Sequence, residues 1–151
     1  MIDKHQITGR RRARTMALQA LYQWMMTEAD LIHIEAEFHN VKQMDKVDTE
    51  YFHELLHQIP QFLSEIDAAF EPYLDRKITE LNPIELIAIR IATYELGHRL
   101  DIPYKVAINE ALDLTKKFGT VTGFKYVNGI VDRVAKKLRP GEIEHRKSQN
   151  G

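Results

Sequence analysis

The chain predicts an all-α protein, a single bundle of about seven helices. Three observations lead there. Apolar residues recur at helical spacing along almost the whole length, and the alternation of a half-buried strand is nearly absent. Capping residues and prolines separate one apolar stripe from the next. A length of 151 residues, 44% hydrophobic and 28% charged, suits one soluble globular domain with a real core.

The first helix spans about residues 10–28, with Met16, Ala17, Ala20, Leu21 and Trp24 on one stripe. A second, near 31–41, aligns Ile34, Phe38 and Val41. Asp48 caps a third, whose stripe is Phe52, Leu55, Leu56 and Ile59. Pro60 reads as an N-terminal residue of a fourth helix carrying Leu63, Ile66 and Phe70, which Pro72 ends. Asn82-Pro83-Ile84-Glu85 is the clearest helix start, with Asn82 as cap, Pro83 in the first turn and Glu85 completing a capping box. The following ELIAIRIATYEL is apolar on nearly every side, Glu85, Arg90 and Glu95 excepted, and belongs at the centre of a bundle. Asp101-Ile102-Pro103 opens the sixth, with Ile108, Ala111, Leu112, Thr115 and Phe118 on its stripe and Gly119 as a left-handed terminator. The seventh, about 123–138, aligns Val127, Ile130, Val131, Val134 and Leu138. A mobile polar tail, 141–151, follows the domain at 1–140.

Net charge is −1, but it is unevenly spread. Residues 1–14 sum to +4 and 115–151 to +6, while 15–114 sum to −11. Basic ends meet a polyanion; an acidic middle faces a protein partner. With no cysteine, disulfides and thiolate metal sites are excluded. No apolar run nears the roughly 18 residues of a membrane span, and no apolar core follows the basic N-terminus as in a secretory signal. A cytoplasmic protein is expected. Gly-rich phosphate loops, nucleophile elbows and dinucleotide fingerprints are absent.

Two clusters carry the basic charge. Arg10, Arg11, Arg12 and Arg14 lead into the first helix, where four cations oppose the positive end of the dipole; a bound phosphate backbone resolves that conflict. Lys116-Lys117-Phe118-Gly119 and Phe124-Lys125-Tyr126-Val127-Asn128-Gly129 interleave cations with rings, as single-stranded RNA requires: lysines neutralise phosphates, and rings stack on bases for about 1–3 kcal/mol each. The alternatives are structural. Lysines suit a helix's last turn without any ligand, Phe118 can be core, and Gly129 can permit close packing. Tyr22 and Glu85 sit beside apolar surface, as interface residues or as rim residues of the bundle.

His53-Glu54-Leu55-Leu56-His57 is a literal H-E-x-x-H, the pattern in which two histidines one turn apart bind zinc beside a glutamate base. Glu80 and Glu85 fall where a third ligand is needed. A zinc-dependent hydrolase is therefore the competing function, although a chain with seven His and thirteen Glu meets this pattern by chance with a probability on the order of a few per cent.

RRRARTMALQALYQW, EPYL, IRIATYEL, DIPYKVAINEALDLTKKFG and KYVNGIVD together resemble the NusB family of bacterial transcription antitermination factors, in order across residues 10–140. The resemblance implies an all-α fold of two small helical subdomains and a role that is not enzymatic, without cofactor or metal. It implies binding to boxA-type single-stranded RNA of ribosomal leaders together with NusE, the ribosomal protein S-ten, in an antitermination complex on RNA polymerase. When free, such a protein is a monomer or homodimer. Carried over by motif, the RNA-facing residues are Arg10, Arg11, Arg12, Arg14, Lys117, Phe118, Gly119, Lys125, Tyr126 and Asn128. Tyr22, Glu80 and Glu85 face NusE. The chain departs from the family at the linker Thr120–Gly123, which lacks common polar or acidic residues, and at Tyr126, where Phe is common.

Overall fold

The computed structural model describes residues 3–41 and 43–150, with the side chains of Val41 and Asn150 left out. Among the described residues eight α-helices form: α1 Lys4–Thr27, α2 Leu31–Val41, α3 Thr49–Gln61, α4 Leu63–Phe70, α5 Pro83–His98, α6 Tyr104–Phe118, α7 Val121–Leu138 and α8 Pro140–Asn150. Two short 3-10 turns, Glu71–Tyr73 and Ile78–Glu80, join α4 to α5. Among the described residues there is no strand. The chain divides into two compact units, residues 1–63 and 64–151.

In the first unit α1 packs on α2 and α3. Ala13, Ala17, Ala20 and Leu21 of α1 meet Ile34 and Phe38 of α2 and Phe52, Leu55, Leu56 and Ile59 of α3 in a buried core. The rings of Phe38 and Phe52 lie 5.9 Å apart and tilted. Each large side chain so buried contributes about 1.5–3 kcal/mol. Val41, expected on the same stripe, falls outside the described side chains. Asp48 caps α3 as its position suggests, accepting from the Tyr51 amide at 3.0 Å.

In the second unit α5 is the centre: every residue from Leu86 to Leu96 is buried, under α6 on one side and α7 on another. Arg90, the expected polar exception, is also buried. It makes a bidentate pair with Asp67 of α4, both bonds 2.9 Å. Asn82 caps α5 through the amides of Ile84 and Glu85.

Four helix boundaries differ from the sequence reading. α1 starts at Lys4, two turns early, because Asp3 and Gln6 form a reciprocal capping box that no apolar stripe advertises. Pro60 is not a helix start but the penultimate residue of α3, where its missing N–H removes one bond near the end; the Phe62 amide still reaches Gln58 O at 2.9 Å. Gly119 ends α6 with extended backbone at φ −108° rather than left-handed. Pro140 does not end the helical structure; it opens α8, where a polar tail was expected.

Arg139 explains why α8 forms. Buried, it donates to the carbonyls of Leu96 (2.8 Å), Glu95 (3.2 Å), Arg99 (3.0 Å) and Ile102 (3.0 Å), the open end of α5 and the turn beyond it. Helix C-termini leave such carbonyls unpaired and partly negative, which a guanidinium answers. Glu142, in the first turn of α8, accepts from Arg139 at 2.5 Å and from the Tyr104 amide at 2.9 Å. It thereby caps α6, whose own N-cap residue is Pro103 and offers no side-chain bond. Ile143 completes the anchor by burial.

Candidate nucleic-acid interface

In the first unit the arginines lie two to three turns inside α1, not at its N-terminus. The expected conflict with the dipole therefore does not arise, since that field fades within a turn. Their side chains divide by helical spacing. Arg11 and Arg12 are exposed, whereas Arg14 is buried and Arg10 partly so. Arg10 and Arg14, four apart, place their guanidinium carbons 5.7 and 5.6 Å from the centre of the buried Tyr51 ring. These two cations hold α1 against α3 by cation–π attraction. Tyr51, which sequence reasoning missed, gave no signal beyond being an aromatic off the main stripe. Tyr22 stands exposed on α1 at 40%.

In the second unit the two halves of the basic–aromatic cluster come together. Lys117 and Phe118 close α6, with the Lys117 ammonium 5.5 Å from the Phe118 ring centre. Thr120 caps α7 by accepting from the Gly123 amide at 2.9 Å, so the variant linker is a capped first turn. Lys116 then reaches across to Phe124, 4.7 Å from ammonium to ring centre. Lys125, Asn128 and Gly129 fall on one exposed stripe of α7, three and four residues apart. Gly129 has no neighbour for an added Cβ within 4 Å, so it does not serve close helix packing.

Tyr126 sits half-buried at the edge of this stripe. Its hydroxyl donates to Asp75 Oδ1 at 3.0 Å, and the Arg76 guanidinium lies 4.8 Å from its ring centre. Arg76 also pairs with Asp75 through two bonds, 2.8 and 3.1 Å. Arg76 first, and the Tyr126 hydroxyl second, hold the Asp75 carboxyl down at about 2. Burial, and then the Asp75 bond, push the Tyr126 phenol above its ordinary value. Asp75 and Arg76 follow EPYL directly, but no spacing in the sequence ties them to a tyrosine fifty residues on.

Glu80 is exposed on the second 3-10 turn. Glu85 is half-buried and forms no reciprocal capping box; its side chain packs over Gly123, where an added Cβ would stand 2.9 Å from Glu85 Cδ. The carboxylate that joins His53 and His57 is Glu35 of α2, not Glu80 or Glu85. No helix of the described residues is long and apolar enough to cross a membrane.

Comparison with known proteins gives this arrangement its setting. The model of the NusB family matches residues 11–136. Transcription antitermination protein NusB of Legionella pneumophila (strain Corby) is 51% identical over 142 residues, 94% of this chain and 97% of that protein. The protein of the same name from Pseudomonas fluorescens (strain Pf0-1) is 49% identical over 89% of this chain and 81% of its own. Among solved structures, T. maritima NusB superposes with a TM-score of 0.74 at 31% identity, covering 89% of this chain and 96% of that one. From its helices and from most of its length, the chain belongs to the NusB family.

Proposed function

We propose that this protein is a transcription antitermination factor, an adaptor without a catalytic step of its own, that binds boxA-type single-stranded RNA together with NusE. The observation that carries this is the match of nearly the whole chain to proteins named for antitermination. The disposition of the side chains supports the finer parts. Arg11 and Arg12 meet phosphates, while Arg10 and Arg14 keep α1 seated on Tyr51. In the second unit Lys117 and Lys125 supply further phosphate contacts, Phe118 and Tyr126 supply stacking faces, and Asn128 offers an amide to a base edge. Gly119 and Gly129 leave room for backbone and bases to approach. Tyr22 of the first unit and Glu80 and Glu85 of the second each meet NusE, where acidic groups steer a basic ribosomal protein.

One face of Tyr126 is already covered by Arg76. A base stacks either on the open face or by taking the place of Arg76, whose pairing with Asp75 then survives on its own.

The test is titration of labelled boxA-type RNA with and without NusE. Binding that NusE strengthens is the expected result. RNA binding that is absent in both arms, with NusE still bound, leaves a purely structural adaptor and overturns the RNA assignment.

A further inference from the structure

We infer that Glu35, His53 and His57 form a binding site for one divalent transition-metal ion of the zinc class, fastening α2 to α3. His53 and His57 lie one turn apart on α3, so their rings face the same way, with centres 4.2 Å apart. Glu35 reaches them from α2 with a separate oxygen for each: Oε2 stands 2.7 Å from His53 Nδ1 and Oε1 stands 2.9 Å from His57 Nε2. One donor atom from each of the three residues can be chosen so that all lie within 4.8 Å of one another.

The donor set selects the ion. Two imidazoles and one carboxylate suit zinc and its neighbours, whereas magnesium and calcium take oxygen shells. Metal bonds of about 2.0–2.1 Å at tetrahedral angles set donors roughly 3.3 Å apart. The three donors, all within 4.8 Å of one another, therefore draw together around the ion by side-chain rotation. Glu35 and His57 are largely shielded, at 17% and 22% side-chain exposure, while His53 is 60% exposed. Solvent on the His53 side provides the fourth ligand as water. This inference is independent of RNA binding, and it keeps the two histidines of the H-E-x-x-H pattern while replacing the third ligand.

The experiment is calorimetric titration of the untagged full chain with zinc chloride near neutral pH, paired with thermal unfolding before and after a chelator. One ion per chain is expected, with a rise in Tm that the chelator reverses. Glu35→Gln and His57→Ala each lower the affinity by more than about tenfold, the least that even an outer partner of a metal contributes. His33→Ala, whose imidazole pairs with Glu37 instead, leaves it unchanged. Circular dichroism without zinc verifies that each variant folds, and Glu35→Gln keeps the size and polarity of the parent. Absence of stoichiometric binding overturns the site. So does stoichiometric binding that Glu35→Gln leaves intact, because the ion then does not depend on Glu35.

Discussion

Single residues in this protein show how one side chain can hold a fold and face a ligand. Tyr126 is the clearest. Its hydroxyl binds Asp75 and, under the proposed function, its ring stacks on a base, so the two roles separate by substitution. Tyr126→Phe removes the bond to Asp75 and is expected to leave RNA affinity within about twofold, whereas Tyr126→Ala loses a stack worth about 1–3 kcal/mol. Fluorescence anisotropy with boxA-type RNA measures both, with NusE binding as the control. The Asp75 contact also has a pH signature. A carboxyl lowered from 3.8 to about 2 contributes its full share above about pH 4 and loses it as the pH falls toward 2. At the alkaline end, Asp75→Asn is expected to move the Tyr126 phenol back toward its ordinary value of 10.0, visible as an earlier rise in tyrosinate absorbance. Two glycines give opposite expectations. A Cβ on Gly119 would lie 2.7 Å from the Thr115 carbonyl oxygen, so Gly119→Ala destabilises the end of α6. At Gly129 the space is open and the backbone helical, so Gly129→Ala stabilises by about 0.5–1 kcal/mol in a denaturant titration. Both residues were legible as glycines of interest, but the reasons differ from those the sequence suggested. Left-handed backbone and close packing are matters of φ and of neighbours, which one-dimensional order does not specify.

At the scale of elements, apolar periodicity located α2, α3, α5, α6 and α7 because their burial follows from their own residues. Phe52, Leu55, Leu56 and Ile59 needed no outside information to be read as core. Where helices are held by contacts distant in sequence, the pattern was silent. The first two turns of α1 rest on the Asp3–Gln6 box, and α8 rests on Arg139, Glu142 and Ile143. Arg139 is the severest test of that account. Its removal takes its bond from the carbonyls of Leu96 and Ile102, where each such loss costs about 1–3 kcal/mol, while those of Glu95 and Arg99 keep the amides of Arg99 and Ile102. Arg139→Ala is expected to destabilise the second unit by about 3 kcal/mol or more and to melt α8. Arg139→Lys recovers only part, because one ammonium cannot replace a planar fork. Chemical denaturation and helical circular dichroism read both effects.

For the molecule as a whole, the separation of charge along the chain was the most informative feature of the sequence, and family membership gives it a meaning. The candidate site was half legible. Lys117, Phe118, Lys125, Tyr126 and Asn128 were visible as a basic–aromatic cluster, and α6 and α7 do bring its halves together through Lys116 and Phe124. Hidden were Tyr51, Asp75 and Arg76, each of which meets its partner across tens of residues. The division of the arginines was open to reading, since Arg10 and Arg14 stand seven residues before Ala17 and Leu21 of the apolar stripe and so share its face. Salt dependence tests the central proposal, that cations of each unit neutralise phosphates of the RNA. On single strands the slope of log affinity against log salt changes by about 0.7 for each phosphate that a cation ceases to neutralise. Arg11→Ala and Lys125→Ala are each expected to flatten the slope by that amount, and the double variant by the sum. A slope that responds to only one of the two substitutions, or to neither, would contradict the account.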